Sequence, residues 1–152
     1  MASKTRKTRV IASGVFDLLH LGHVKFLEDA KKAGGENSEL IVIIAKDSTV
    51  EKMKGKKPIM SEDQRRRLVE ALKSVDKAIV GFEGLDIGEV IAEIKPDIIA
   101  LGYDQAKMYE NVQEYVNKHK LNVKIVKIGK FEEGDLSSSS KIKQMIAEKF
   151  NR

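Results

Sequence analysis

The sequence predicts an α/β fold: a single doubly wound domain with a five-stranded parallel sheet and helices on both faces. Apolar runs of four to eight residues alternate with stretches of helical periodicity, which is typical of alternating strands and helices. The runs are rich in Val, Ile and Leu with little polar alternation, as in strands buried on both faces. A length of 152 residues suits one domain, which we expect to span residues 1–152 with a flexible basic arm at 1–7.

The predicted strands follow one another with a helical stretch after each. They cover residues 8–13, 39–45, 77–81, 97–102 and 122–128. In open parallel sheets, ligands bind outside the carboxyl ends of the strands. We therefore expect the functional site in the segments that follow the strands, at 14–23, 46–60, 82–86, 102–106 and 129–140.

Turn and cap residues mark where the helices begin and end. The glycine pair at 34–35 ends the first helix, and Pro96 closes the helix before the fourth strand. Two further helices, which lie between the glycine pair and Pro96 in the sequence, each begin with a capping box. These are Ser61 with Gln64, at the start of a helix predicted over 61–74, and Asp86 with Glu89.

Composition limits the chemistry that is available. The chain has no cysteine, which excludes disulfides, thiolate zinc sites and a cysteine nucleophile. A net charge of +5 attracts anions, which include nucleic acid, acidic membrane surfaces and phosphorylated small molecules. No apolar run approaches the roughly 20 residues that span a bilayer. We expect a cytoplasmic protein without a membrane partner.

Two of the three histidines lie three residues apart in GVFDLLHLGH, residues 14–23. This spacing puts His20 and His23 on one face at the start of the first helix. Backbone N–H groups and the helix dipole favour phosphate there, and Gly14 and Gly22 let a phosphate approach the backbone. Two imidazole donors would stabilise the charge that grows on an α-phosphate during nucleotidyl transfer. We therefore predict that both histidines are catalytic.

Two other interpretations of these histidines remain. They could be core residues with internal partners, which is common for a histidine on an apolar stripe. They could instead bind zinc, although His119 is far along the chain and no cysteine completes a ligand set. The order of strand, glycines and histidines favours the phosphate site.

The stretch resembles the HxGH signature of the nucleotidyltransferase superfamily, which includes glycerol-phosphate and choline-phosphate cytidylyltransferases, pantetheine-phosphate adenylyltransferase and archaeal FAD synthase. The strand, G-x-F-D and H-x-G-H come in the order of that family. The similarity extends from about residue 8 to 147, and KPDIIALGYDQ and GDLSSSSKI are most similar to the archaeal FAD synthase branch. That branch implies transfer of AMP from ATP to FMN with Mg²⁺ or another divalent cation, and relatives often form homodimers.

Two alternatives to this function stay open. A cytidylyltransferase that uses CTP and glycerol phosphate, or a similar polyol or lipid-head phosphate, would share all the catalytic parts. A non-catalytic RNA binder would use the basic arm, but it would not need paired histidines. Aromatic residues make up only 5% of the chain, which argues against stacked single-strand recognition, and we expect no nucleic-acid partner.

Basic residues extend the predicted site. Lys54 and Lys56 lie in a lysine-rich loop after the second strand and match family lysines that contact phosphates, so they are candidates for catalysis and for the acceptor phosphate. The alternative is an exposed, mobile loop. Arg65 is a candidate catalytic cation on the next helix, or else a partner of Glu62 or Asp63.

The remaining candidates concern the nucleotide. Asp104 follows the fourth strand where the family has a G-x-D that contacts the ribose or base region, and its alternative is a helix cap. Phe16 and Phe131 are candidates to pack against a base or flavin ring, although phenylalanine is usually core. The resemblance also places signature residues against the nucleotide, namely Gly14, Val15, Leu21 and Gly22.

A serine cluster opens the last predicted helix. The hydroxyls and terminal N–H groups of Ser138, Ser139 and Ser140 are placed to bind the β- and γ-phosphates, and the alternative is a plain helix cap. In cytidylyltransferases this motif reads R-T-x-G-I-S-T-T. KFEEGDLSSSSKI keeps the glycine and hydroxyls but has no arginine and one extra residue, so the role of the family's arginine does not carry over to this motif, and the departure argues against a cytidylyltransferase.

Overall fold

A computed structural model of the protein describes residues 6–81, 86–129 and 138–150, which form five strands and six helices. The strands are β1 Thr8–Gly14, β2 Ser38–Ile44, β3 Lys77–Val80, β4 Ile98–Gly102 and β5 Lys124–Ile128. The helices are α1 Leu21–Ala33, α2 Asp47–Lys54, α3 Glu62–Glu70, α4 Ile87–Ile94, α5 Ala106–Lys118 and α6 Ser139–Phe150.

The strands form one parallel sheet in the order β3-β2-β1-β4-β5. Chain order reverses between β1 and β4, which pair from Val10 with Ile98 to Ala12 with Ala100. At such a switch point the two connections leave toward opposite faces and open a crevice at the carboxyl ends of the strands. The fold therefore puts its ligand crevice directly after Gly14 and Gly102.

Two apolar layers cover the sheet. One contains Leu27 and Ala30 of α1 and Val69 of α3, packed on inward residues of β1 and β2. The other contains Val90 of α4 and Val112 of α5. Because both faces are buried, strand residues such as those of β2 are almost uniformly apolar. The prediction of a doubly wound parallel sheet with helices on both faces is confirmed.

The lysine-rich segment after β2 differs from the prediction of a loop. Most of it is helix α2, whose last residue is Lys54. Asp47 in the first turn and lysines in the last turn complement the helix dipole, and Val50 buries the one apolar face. Gly55 ends the helix with a φ of 79°, a left-handed conformation that glycine adopts without strain.

Helix α3 is shorter than the predicted helix over 61–74. After Glu70, the N–H groups of Leu72 and Val75 bond carbonyls three residues back, so the chain continues as tight turns. The predicted Ser61 cap is present, because its hydroxyl accepts a hydrogen bond from the N–H of Gln64 over 3.2 Å. The helix thus begins at the predicted cap and ends earlier than predicted, and Val75 beyond its end is buried in the core.

The predicted basic arm is described only from Arg6 onward, and residues 1–5 lie outside the described ranges. Arg6 makes a bidentate ion pair with Asp97, whose shorter N–O distance is 2.7 Å. Within those ranges, no helix has both the length and the apolar character that crossing a bilayer requires.

Candidate active site

A cavity of about 630 Å³ lies at the carboxyl ends of β1 and β4, which is an ordinary size for a small-molecule site. Predicted residues from the first strand and helix line it, namely Gly14, Val15, Phe16, His20, Gly22 and His23. From other elements come Lys54, Lys56, Asp104, Ser138, Ser139 and Ser140. Leu21 is 49% exposed and does not line the cavity, and Phe131 lies outside the described residues.

His20 and His23 lie side by side at the start of α1. His20 is the N-cap residue with extended backbone, and His23 lies in the first helical turn. Their rings stack with centroids 3.7 Å apart and planes inclined by 26°. The backbone N–H of His20 donates to Nδ1 of His23 over 3.2 Å. The structure thus brings the predicted pair together at a helix N-terminus.

Both imidazoles are neutral at pH 7. Burial lowers the pKa of His20, and burial together with the neighbouring His20 lowers the pKa of His23 to about 4. Because Nδ1 of His23 accepts a hydrogen bond, its neutral ring carries the proton on Nε2. Nδ1 of His20 is buried and has no hydrogen-bond partner in the described part of the chain. The pair therefore supplies N–H donors rather than fixed positive charge.

Phe16 supports His23 from the core side. Its side chain is 4% exposed, and its ring centroid lies 5.3 Å from that of His23. Gly14 makes room for it, since a Cβ there would lie 2.9 Å from Cε2 of Phe16. The predicted stacking of Phe16 on a base or flavin does not fit this placement, because the residue is nearly buried and belongs to the same core cluster as Leu27.

Asp17 joins three parts of the site. Its side chain is nearly buried and accepts hydrogen bonds from the N–H groups of Ile59 and Met60 over 2.9 and 3.0 Å. Lys143 of α6 donates to the same carboxylate over 2.9 Å. Burial raises the pKa of Asp17, but the hydrogen bonds from Ile59, Lys143 and Met60 outweigh it and leave the pKa below its usual value. Asp17 is therefore an anion at neutral pH.

The serine cluster lies at the start of α6, as predicted. The hydroxyl of Ser138 accepts a hydrogen bond from the N–H of Lys141 over 3.1 Å and so caps the helix. The hydroxyl of Ser139 donates to the carbonyl of Asp17. The first turns of α1 and α6 therefore border one cavity, and the N-terminus of a helix favours phosphate.

Arg65 lies behind the signature loop rather than in the cavity. It has no exposed surface, and its guanidinium donates to Val15 O over 2.7 Å and Met60 O over 2.9 Å. Its third partner is Asp47, at 2.7 Å, so the alternative pairing with Glu62 or Asp63 is wrong. The predicted catalytic contact does not fit this placement either, because all three guanidinium nitrogens bond protein oxygens. Arg65 instead fixes the backbone beside the histidines.

Asp104 is exposed on the cavity wall after β4. The N-cap of α5 is Gln105, so the alternative interpretation of Asp104 as a helix cap is wrong. Gln105 folds back instead, and its amide oxygen accepts a hydrogen bond from the N–H of Gly102 over 2.7 Å. Asp104 therefore keeps its carboxylate at the cavity, where it remains a candidate contact for a ribose hydroxyl.

Sequence reasoning missed several residues of the site, among them Asp17, Asp29, Lys143 and Tyr103. Asp17 carries a usable signal, since a lone carboxylate among apolar residues directly after a buried strand needs partners. Tyr103 is 54% exposed and lines the cavity, and an aromatic residue directly after a buried strand marks the ligand edge of such a sheet. Lys143 has no signal that distinguishes it from other surface lysines.

Comparison with known proteins agrees with the geometry. The family described as Cytidylyltransferase-like matches residues 11–145. A FAD synthase of Thermoplasma volcanium is 48% identical over 140 residues, which are 92% of this chain and 94% of that protein. A FAD synthase of Thermococcus sibiricus is 40% identical over 148 residues, 97% of this chain and 98% of that protein.

Solved structures share the fold. The crystal structure described as the lipopolysaccharide core biosynthesis protein from Thermoplasma volcanium has a TM-score of 0.75 and 47% identity, and the match covers 84% of this chain and 100% of that one. Pantothenate synthetase from Thermus thermophilus has a TM-score of 0.59 at 15% identity, covering 86% of this chain and 58% of that one. The second likeness concerns the fold alone. By its family match and its relatives, the chain belongs to the cytidylyltransferase-like nucleotidyltransferase family.

Proposed function

We propose that this chain is an FMN adenylyltransferase, which transfers AMP from ATP to FMN and releases pyrophosphate. The observation that carries the proposal is the stacked, neutral pair His20 and His23 at the N-terminus of α1, on the wall of an open cavity. The pair supports nucleotidyl transfer. The identity of base and acceptor is supported by relatives named FAD synthase, which are 40–49% identical to this chain.

The reaction is an in-line displacement at the α-phosphorus of ATP. A phosphate oxygen of FMN forms the new bond to that phosphorus, and the bond to the β-phosphate oxygen breaks, with its electron pair leaving on pyrophosphate. No covalent intermediate on the protein is needed. His23 Nε2–H and His20 donate to oxygens whose charge grows in the transition state, and the N–H groups near Gly22 add the positive end of α1.

Other residues hold the two substrates. The first turn of α6 with Ser138 and Ser140 is placed to bind the β- and γ-phosphates. Lys54 and Lys56, exposed at the mouth of the cavity, are placed to hold the acceptor phosphate. Asp104 accepts a hydrogen bond from a ribose hydroxyl. Each of these proposed roles assigns one segment of the cavity wall to one part of a substrate.

The donor set at the cavity fits Mg²⁺ that enters with the triphosphate. Mg²⁺ commonly keeps several waters and takes one or two carboxylates plus substrate phosphates. Asp29 and Asp104 line the cavity and offer such carboxylates. Within the described ranges, no three His, Cys, Asp or Glu side chains are grouped as a metal cage. A bound cation would neutralise charge on the departing pyrophosphate.

The test is to incubate the purified protein and Mg²⁺ with each of four pairs: ATP or CTP, with FMN or glycerol phosphate. Pyrophosphate release and the nucleotide product are measured together. We expect FAD and pyrophosphate in equal amounts from ATP and FMN. Turnover with CTP and glycerol phosphate, and none with ATP and FMN, would instead establish the cytidylyltransferase alternative.

The expected partners are the two small-molecule substrates and a second copy of the chain. Light scattering on the purified protein tests the homodimer, and a mass of one 17.0 kDa chain would contradict it. Cytoplasmic location is tested by fractionating the source cells. Nucleic-acid binding is not expected, and a steep loss of RNA affinity with rising salt would reveal it.

A further inference from the structure

The residues before and after Asp17 both have an unusual backbone conformation. Phe16 has a φ of 55° and Leu18 a φ of 52°, so left-handed residues flank the carboxylate. A left-handed φ is unfavourable for residues other than glycine, so the surroundings must hold both residues in place. What holds this turn is the set of hydrogen bonds to Asp17, since its side chain and its carbonyl are both bonded.

These hydrogen bonds come from two segments that face opposite substrates. Ile59 and Met60, which bond the carboxylate, lie just after the lysine segment, residues 54–57, from which Pro58 separates them. Lys143 and Ser139 of α6 bond its carboxylate and its carbonyl, so α6 is attached to Asp17 at two points. The lysine segment and the start of α6 therefore share one buried anchor, although their sequence positions are about 80 residues apart.

We propose that Asp17 is a positioning residue that couples the α6 end of the cavity to the lysine segment, so that nucleotide bound at α6 orders the lysines for the acceptor. The proposal rests on the proposed function for the identity of the two substrates. Asp17 touches neither substrate in this account. It acts through the position of Lys54 and Lys56 on one side and of the serine cluster on the other.

The chain contains a matched control for this anchor. Asp76 accepts hydrogen bonds from Lys31 Nζ over 2.6 Å and from the N–H of Leu40 over 2.7 Å. It thus has the same kinds of partner, a lysine and a backbone N–H, at the amino end of β2 and away from the cavity, although its side chain is 39% exposed whereas that of Asp17 is 4% exposed. Asp76→Asn removes a comparable charge with no connection to the substrates.

The first experiment compares Asp17→Asn with Asp76→Asn in steady-state kinetics and thermal unfolding. Both substitutions are expected to lower the unfolding temperature. Asp17→Asn should also lower kcat/KM at least tenfold, chiefly by raising KM for the acceptor at saturating nucleotide, whereas Asp76→Asn should leave both constants within twofold. Equal kinetics of the two variants at equal stability would overturn the proposal.

The second experiment tests the coupling by limited proteolysis, which does not depend on enzyme turnover. Trypsin cleaves after Lys54 and Lys56, but not readily between Lys57 and Pro58, and mass spectrometry identifies the sites. Excess ATP should slow cleavage at both lysines about tenfold in the unmodified chain and less than twofold in Asp17→Asn. Protection that is unchanged in the variant, or absent in the unmodified chain, would overturn the coupling. The digestion is repeated with CTP, so that failure to form FAD would refute the proposed function while protection by whichever triphosphate binds still reads the coupling.

Lys143→Met is a milder variant, which also serves alone if Asp17→Asn does not fold. It should show the same loss of protection in weaker form, because it removes one of the hydrogen bonds to the carboxylate. Where Asp17→Asn folds, the double variant is measured as well and should lose no more than Asp17→Asn alone, since Lys143 acts through Asp17. Full additivity of the two substitutions would contradict a shared anchor.

Discussion

The two ends of the sheet use charged residues differently. At the amino end, cations pair with nearby carboxylates: Arg6 with Asp97, Arg9 with Glu39 and Lys31 with Asp76, all at 2.6–2.7 Å. At the carboxyl end, the lysines line an open cavity, and the carboxylate of Asp17 is nearly buried beneath it. The amino end is therefore locally neutralised, and the carboxyl end presents positive charge and N–H donors to solvent.

The difference shows which end of this basic protein attracts anions. A net charge of +5 by itself does not distinguish the two ends. What distinguishes them is where the carboxylates lie, since partly exposed carboxylates at the amino end pair with their cations at the surface, whereas Asp17 is nearly buried beneath the cavity. Substitutions at matched residues of the two ends test this contrast.

The largest effect on stability is expected for Arg65, which is fully buried behind the cavity and pairs with the partly exposed Asp47. Arg65→Met leaves Val15 O and Met60 O without a donor and Asp47 without its cation. Breaking a buried pair in this way typically costs about 3–5 kcal/mol of unfolding free energy. Arg6→Met at the amino end breaks an exposed, solvent-screened pair and should cost far less. Urea unfolding measures both, and similar losses would contradict the contrast.

The largest effect on activity is expected for the histidine pair. His23→Ala removes an N–H donor to the transition state and should lower kcat about 10²–10³-fold while the protein stays folded. His119→Ala is the control, because His119 packs on Tyr115 and does not line the cavity. The control should keep its turnover within twofold. Near-normal turnover of His23→Ala, measured by pyrophosphate release, would show that the pair is structural.

Acid should destabilise the protein through His23. Its pKa is about 4 when folded against about 6.5 in an unfolded chain, so the unfolded state binds more protons between these values. The unfolding free energy should therefore be highest above pH 6.5 and fall steadily down to pH 4, where the depressed pKa of Asp17 extends the loss to lower pH. Urea unfolding at several pH values measures the slope. His23→Gln should flatten it, and an equal slope in that variant would assign the effect to other groups.

A smaller effect is expected at the mouth of the cavity. Replacing both Lys54 and Lys56 with Met should raise KM for FMN about tenfold with little change in kcat, since a charged hydrogen bond contributes roughly 1.5 kcal/mol or more. The difference should shrink at high salt, because exposed charges are screened. Arg9→Met at the amino end should leave KM unchanged. A KM that does not change in the lysine variant would remove these residues from the acceptor site.

Much of the fold was predictable because its signals are local. The strands are short apolar runs, and the sheet confirms five of them in parallel, with bounds that differ by one or two residues. The family resemblance rested on GVFDLLHLGH and is confirmed as well. Helix α2 was not predicted, since its single buried residue, Val50, gives no apolar periodicity to detect.

The placement of individual site residues was less predictable because it depends on distant partners. Arg65 bonds Asp47 and Val15, which lie 18 and 50 positions away, and nothing in its helical neighbourhood indicates that pairing. Phe16 turns into the core because its backbone adopts a left-handed φ, a conformation that no local pattern in the sequence favours. The roles of the cavity residues stay predictions until they are tested by substitution.

The most direct test of the central claim is the titration of the three histidines by ¹⁵N NMR, with and without a non-hydrolysable ATP analogue. The account predicts that His23 stays neutral with its proton on Nε2 down to about pH 4, and that the analogue shifts the signals of His20 and His23 but not of His119. A His23 that titrates near pH 6.5 and does not respond to the nucleotide would contradict the account.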